Sequence, residues 1–217
     1  MSTDGGYALN VGRKALILTA LAMTPAAASA APSPTTVSIA ADPLVVTYGS
    51  ATHLSGAVSP AKAMKVQVSA ESCVNGQTQQ SPLSVTSTAQ GTWTATVTPT
   101  SKTVYQAKAK STDSPALTVQ VRPKVALAKV GAHRFRTRIS AAQSFGGKIA
   151  LFQKSTSAGW RTVKSVVLVE LGSGSGTVIS GKTFRSGIRT GRTVRILFTR
   201  RQAGTCYLGA TSGSIGS

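Results

Sequence analysis

From about Thr35 onward the chain is a succession of short apolar runs bounded by Gly, Pro, Ser and Asp. In KVQVSA, Val66 and Val68 point one way. In TWTATV, Trp93, Ala95 and Val97 share a face, and in LTVQV, Leu117, Val119 and Val121 do so. Alternation of period two marks strands with one buried and one wet face. The first half predicts strands over 36–41 with an extension at 44–48, then 51–58, 64–72, 81–88, 92–98, 103–110 and 116–121. Turns fall at Asp42-Pro43, Ser59-Pro60, Asn75-Gly76, Gln90-Gly91, Pro99 and Asp113-Ser114-Pro115. After Arg122-Pro123, strands are expected over 124–130, 132–141, 147–155, 160–169, 177–184, 192–200 and 206–212. No sustained i, i+3, i+4 pattern follows the first thirty residues.

Seven strands per half, rich in Val and Thr and spaced by turn residues, predict an all-β fold. The expected architecture is two tandem seven-strand Ig-like β-sandwiches, over 35–122 and 123–217. Tyr105 opens the expected sixth strand of the first half. Either its hydroxyl bonds the backbone at the corner of the sandwich, or it is a core tyrosine with a wet hydroxyl.

Residues 1–30 read differently. Arg13-Lys14 precede an apolar run from Ala15 to Met23 and a small-residue tail ending Ala28-Ser29-Ala30. That is the layout of a secretory signal peptide, with cleavage expected after Ala30. The run is short for a spanning helix, which needs roughly 20 residues. The expected mature chain starts at Ala31, with 31–34 as a short linker. It is expected to be secreted, with no membrane span and no covalent tie to a membrane or wall; a membrane anchor that stays attached is the alternative.

The stretches VSIAADPLVVTYGSATHLSGAVSP and GTWTATVTPTSKTVYQAKA resemble the opening and closing strands of the bacterial Ig-like and fibronectin-type-III-like repeats of secreted actinobacterial proteins. GGKIALFQKSTSAGWRTVKSVVL is similar to their middle strands. The resemblance implies a pair of β-sandwiches on an exported, non-catalytic protein, and it transfers no functional residue. The chain departs from antibody-type domains. Neither half holds two cysteines, and neither tryptophan lies on an expected third strand.

Cys73 and Cys206 are the only cysteines. Export puts them in an oxidising compartment, where an even count usually means a bridge. Cys73 ends the expected third strand of the first half, at the pole facing the second. Cys206 begins the expected last strand of the second half, after a loop that faces the first. A Cys73–Cys206 bridge across the junction would close a long loop, worth at most about 5 kcal/mol in the chain-entropy picture. An intermolecular bridge and two free thiols are the alternatives.

Charge separates the halves. The whole chain carries 24 Lys and Arg against 5 acids. Residues 31–122 are nearly balanced, at a net +3, whereas from Pro123 onward sixteen basic residues face Glu170 alone, a net +15. In HRFRTRI, Arg134, Arg136 and Arg138 alternate with Phe135, Thr137 and Ile139, so one strand face bears three arginines. Lys182 and Arg185 on the expected fifth strand extend that stripe, and Arg195 is assigned to the same contact. A one-signed face is costly unless it meets something negative. The arginine fork suits phosphate and carboxylate. Outside a cell the candidates are anionic wall polymers, acidic polysaccharide, lipid headgroups and extracellular DNA. Nucleic acid is disfavoured, because aromatic residues make up 5% of the chain and stacking platforms are scarce. Charge that serves solubility alone is the plainer reading.

Residues 176–183, GTVISGKT, match the G-x-x-x-x-G-K-[ST] pattern of phosphate-cradling loops. Such a loop opens a helix and works with an Asp that holds magnesium. Here the β-branched run Thr177-Val178-Ile179 favours extended chain, and no Asp follows Pro123. The stretch reads as a glycine-rich loop, LGSGSG, leading into a strand that buries Val178 or Ile179. The four acids of the mature chain are too scattered for the paired carboxylates of sugar hydrolysis. His53 and His133 stand alone, one in each half, so no metal set forms. No cofactor and no enzymatic activity are expected. The function expected is an envelope-associated adhesive or structural module whose second domain contacts an anionic polymer. The alternative is an extracellular protein-binding module, an accessory or inhibitor, using the sandwich-end loops 73–82 or 170–176.

Overall fold

The computed structural model describes residues 1–3, 5, 33–74 and 82–217. Nearly all of the expected signal peptide, and the turn at Asn75-Gly76, lie outside them. Ser33–Ser217 form one compact unit. Within it, strand pairing builds four sheets, two before Arg122 and two after it.

The first half contains β1 (Thr36–Val37), β2 (Ala40–Asp42), β3 (Val45–Thr47), β4 (Thr52–Ser59) and β5 (Lys65–Ser72). It continues with β6 (Leu83–Thr86), β7 (Thr92–Val97), β8 (Thr103–Ala109), β9 (Thr112–Asp113) and β10 (Leu117–Arg122). One sheet is β1 and β2 on one side of β4 and β7 on the other; the second runs β3-β10-β8-β5-β6. The N-terminal strand thus changes sheet between β2 and β3. Pro43 sits at the change because it has no N–H to continue a ladder. Val66, Val68, Val119 and Val121 from one sheet pack against Leu54, Val58 and Trp93 from the other, all buried. Trp93 lies flat on Gly56, where an added Cβ would come within 2.6 Å of the indole ring.

The second half contains β11 (Lys124–Gly131), β12 (Arg134–Ala141), β13 (Ile149–Thr156), β14 (Gly159–Val167) and β15 (Val169–Gly174). It ends with β16 (Thr177–Arg185), β17 (Thr193–Phe198), the short helix α1 (Arg200–Ala203), β18 (Ala210–Thr211) and β19 (Ile215–Gly216). The sheets are β11-β12-β16-β15 and β14-β13-β17, with β18 and β19 both on β17. The first order is that of the A-B-E-D sheet of an immunoglobulin-like sandwich, and the second that of the sheet facing it. The protein is all-β and Ig-like.

Two expectations change. LGSGSG is largely strand: β15 pairs with β16 from Val169↔Gly181 to Gly174↔Thr177, and only Ser175 and Gly176, both at positive φ, make the turn. The proposed binding loop 170–176 is therefore mostly an edge strand. In β16 the buried positions are Ser180, Gly181 and Phe184, while Val178 and Ile179 are half-buried.

The core of the second half is aromatic. All five phenylalanines of the chain are buried there. Phe135, Phe152 and Phe184 form one cluster, with centroids 5.0–6.1 Å apart. Phe145 meets Phe198 at 4.9 Å and Tyr207 at 5.7 Å in edge-on contacts.

The segment between α1 and β18 docks on the first half. Cys206 is bonded to Cys73, as the strand directions suggested. Cys206 does not begin the last strand, however; it lies in this connecting segment. Backbone hydrogen bonds flank the bridge: Lys102 N–H donates to the Cys206 carbonyl at 2.9 Å, and Leu208 N–H to the Val121 carbonyl at 2.9 Å. The Arg122 guanidinium donates to the Gly209 carbonyl at 2.7 Å. The Tyr207 hydroxyl donates to the Thr100 carbonyl at 2.7 Å and accepts from Ala142 N–H at 3.0 Å, so it joins the two halves. Burial, offset by the Ala142 bond, pushes this phenol up to about 12 from 10.0, and Tyr48 nearby adds to the rise. Tyr105 is buried as well, and its phenol is likewise pushed up to about 12 by burial, with the Thr103 side chain as its hydrogen-bonding neighbour.

Candidate anion-binding surface

The alternation of HRFRTRI is realised in β12. Phe135, Thr137, Ile139 and Ala141 face the core, while Arg134 and Arg138 are exposed and Arg136 half-buried on the outer face. Successive arginines therefore stand roughly 7 Å apart along the strand. Their neighbours are small. Arg136 lies between Ala128 and Thr183, and Arg138 between Ala126 and Gly181. Gly181 is required at that place, since an added Cβ would run into the Thr137 carbonyl and sit 2.8 Å from Leu171. The guanidiniums rise above a floor of methyls, hydroxyls and bare backbone.

Arg134 pairs directly with Arg185 of β16. Like charges opposite one another in an antiparallel pair destabilise it. No acid relieves them: the one ion pair among the described residues is Lys108–Asp113 at 3.7 Å, in the first half. Glu170, the lone acid of the second half, stands opposite Ser180, five residues from Arg185 along β16.

Two residues expected in the stripe lie elsewhere. Lys182 pairs with Thr137, which faces the core, so it belongs to the other face of the sheet. Arg195 is on β17 in the opposite sheet, opposite Gln153. Its Nε donates to Gln153 Oε1 at 3.0 Å, and its guanidinium lies 4.0 Å from the Trp160 ring centroid. A stacked, hydrogen-bonded arginine of this kind is held by its own sheet. The face therefore consists of Arg134, Arg136, Arg138 and Arg185.

At the end of β12 and β16 farthest from the junction, the sheet leads into a cavity of about 450 Å³ that is open to solvent. Ala132, His133, Arg185, Ser186, Gly187 and Arg189 line it. His133 stands in the two-residue turn between β11 and β12 at φ +53°, and its Nδ1 donates to the Ile188 carbonyl at 2.8 Å. Ser186 N–H donates to the His133 carbonyl at 2.9 Å. His53, in the first half, pairs its Nδ1 with Thr96 Oγ1 at 3.1 Å. Among the described residues, no three His, Cys, Asp or Glu come together to hold a metal ion, and no helix is long and apolar enough to cross a membrane.

No family model matches the chain, and no curated protein matches it. Among solved structures, two marsupial T cell receptor chains are similar. One is 10% identical over 84% of this chain and 99% of its own, with a TM-score of 0.30. The other is 9% identical over 83% of this chain and 100% of its own, with a TM-score of 0.28. The sandwich assignment stands on the strand pairing of the chain itself.

Proposed function

We propose that the chain is an exported, non-catalytic module of the cell envelope, adhesive or structural in role, whose second half holds an anionic wall polymer or acidic polysaccharide. The observation that carries this reading is the face of Arg134, Arg136, Arg138 and Arg185, one-signed, without an acid opposite, and spread over two paired strands. A bound polymer removes the repulsion that the empty face carries. The inter-half disulfide fits an oxidising compartment, and the signal-peptide layout of residues 1–30 fits export.

Co-sedimentation of Ala31–Ser217 with whole cell walls, and with walls stripped of their anionic polymers, tests the reading across a salt series. Binding is expected to intact walls only and to fade as screening shortens to about 8 Å near physiological ionic strength. Replacing Arg134, Arg136 and Arg138 together with Ser should abolish it while the fold persists, because all three side chains lie outside the core. Equal binding to stripped walls, or undiminished binding by the triple variant, sinks the proposal.

A further inference from the structure

We infer that the free edge of β7, in the first half, is a self-association site, where a second copy of this chain adds its own β7 antiparallel and one sheet runs across two molecules. The inference is independent of the arginine face.

β7 pairs with β4 alone among the described residues, so its other side is a sheet edge. Proteins blunt such edges with charge, proline, bulges or brevity. Of the longer edge strands, β11 carries Lys124 and Lys129, β14 carries Arg161 and Lys164, and β15 carries Glu170 and a register shift. The other edge strands are four residues or shorter. β7 has none of these guards. TWTATV holds no charge and no proline, and its register with β4 is unbroken from Thr52↔Val97 to Ala57↔Thr92. Hydrogen bonds fix which of its groups face outward. The Gly91 carbonyl accepts from Val58 N–H of β4 at 2.8 Å, whereas the Thr92 carbonyl accepts from Thr88 N–H at 2.7 Å, on the far side. Backbone direction alternates along a strand. Trp93, Ala95 and Val97 therefore bond to β4, while Thr94 and Thr96 turn their N–H and C=O groups outward, without a partner among the described residues. Both threonines are exposed.

The free stretch selects its occupant. It runs from Trp93 to Val97, between the turn bonded at Thr92 and Pro99, and its centre is Ala95. A twofold axis at Ala95 sets Thr94 of each copy opposite Thr96 of the other. Every outward N–H then meets an outward carbonyl, in a contact that uses the same patch on both copies. Threonines opposite threonines make a favourable cross-strand pair. Charge permits the approach: β4 and β7 hold no Lys, Arg, Asp or Glu, and the net +15 lies in the other half. Apolar surface favours it. Ala95, Val97 and Val85 are only half-buried and Leu83 is 37% exposed, although each stands opposite a buried residue of its own sheet. β6 and β7 thus share an open apolar margin, and pairing brings the margins of two copies together.

Sedimentation velocity on Ala31–Ser217 over a concentration series tests the site, with amide exchange read by ¹⁵N NMR on the same samples. A monomer–dimer equilibrium is expected. The Thr94 and Thr96 amides should exchange fast in dilute samples and slow down as dimer forms, whereas Ala95 stays slow throughout. Added salt should strengthen the dimer, because it screens two basic chains from each other, the reverse of its effect on wall attachment. Thr94→Pro removes one outward N–H from each copy, two of the four hydrogen bonds, and no bond to β4. It should weaken the dimer about tenfold or more. Thr94→Lys supplies the charge that the edge lacks and should act in the same direction. Ser165→Lys, an equal charge at an exposed position of β14, should leave the equilibrium unchanged. A chain still monomeric at about 1 mM overturns the inference and leaves the edge to a foreign strand. So does a dimer in which Thr94 and Thr96 exchange as fast as in the monomer, one that both Thr94 variants retain, or one that salt dissolves.

Discussion

The two halves share an architecture and differ in what they do with it. The first has a core mostly of valine and alanine, with Leu54, Trp93 and Tyr105, under a nearly neutral surface. The second buries every phenylalanine in the chain and carries almost all of the net charge. These differences belong together. Fifteen uncompensated positive charges oppose a compact state. Aromatic pairs contribute about 0.5–1.5 kcal/mol each beyond their buried area, and five such contacts sit beneath the charged surface. A face that repels itself requires a core with energy to spare.

The most severe way to break this comparison is to remove the spare energy. Phe152 touches both Phe135 and Phe184 at 5.0 Å and is fully buried. Phe152→Ala should cost about 3–5 kcal/mol in urea unfolding. Urea is the right denaturant because it leaves ionic strength free to vary. Added salt should recover part of the loss by screening the charged surface. A cost below about 1 kcal/mol would mean that the aromatic cluster does not offset the charge.

The junction offers an intermediate test. Tyr207→Phe deletes the hydroxyl that joins Thr100 to Ala142, and with it two hydrogen bonds worth about 0.5–1.5 kcal/mol each. A loss of about 1–3 kcal/mol is expected, with the disulfide intact. Alkali probes the same residue. Folding keeps the Tyr207 and Tyr105 phenols protonated to about 12, whereas unfolded phenols ionise near 10.0. Between those values the native state holds more protons, so stability is full below pH 10 and falls as pH rises toward 12. Absorbance of ionised tyrosine should rise together with unfolding, and Tyr207→Phe should soften the alkaline transition. Full ionisation near pH 10 in a still-folded chain would contradict this.

Much of the design can be read along the chain because strands have period two. HRFRTRI shows its buried and wet faces without any knowledge of the fold, and so do KVQVSA and TWTATV. The same rule, applied strictly, also places Lys182: it lies three residues from Arg185, an odd step, and a strand sends the two to opposite faces. Arg195 was not legible in that way, because its sheet is fixed by long-range pairing with β13. LGSGSG has the composition of a loop, yet pairing with β16 holds most of it extended, so tertiary context overrides weak local preference. Tyr207, next to a bridged cysteine, carried a signal only once the bridge itself was known. Nothing in the sequence marks Ser186 as buried, since that depends on its backbone docking on the turn at His133.

The finest test separates the stability of the charged half from its use. Arg134 and Arg185 stand opposite on one face, and like charges so placed cost about 0.2–1 kcal/mol. Arg134→Thr keeps a good strand former on an exposed position. In low salt it should therefore stabilise the chain by about 0.2–1 kcal/mol, and the gain should vanish once salt screens the pair. The same change should weaken attachment to anionic walls. A variant that is at once more stable and a poorer binder shows that the repulsion is retained for the ligand. If Arg134→Thr instead destabilises in low salt, the arginine stem is covering the sheet, and the face is held together by packing rather than strained by charge.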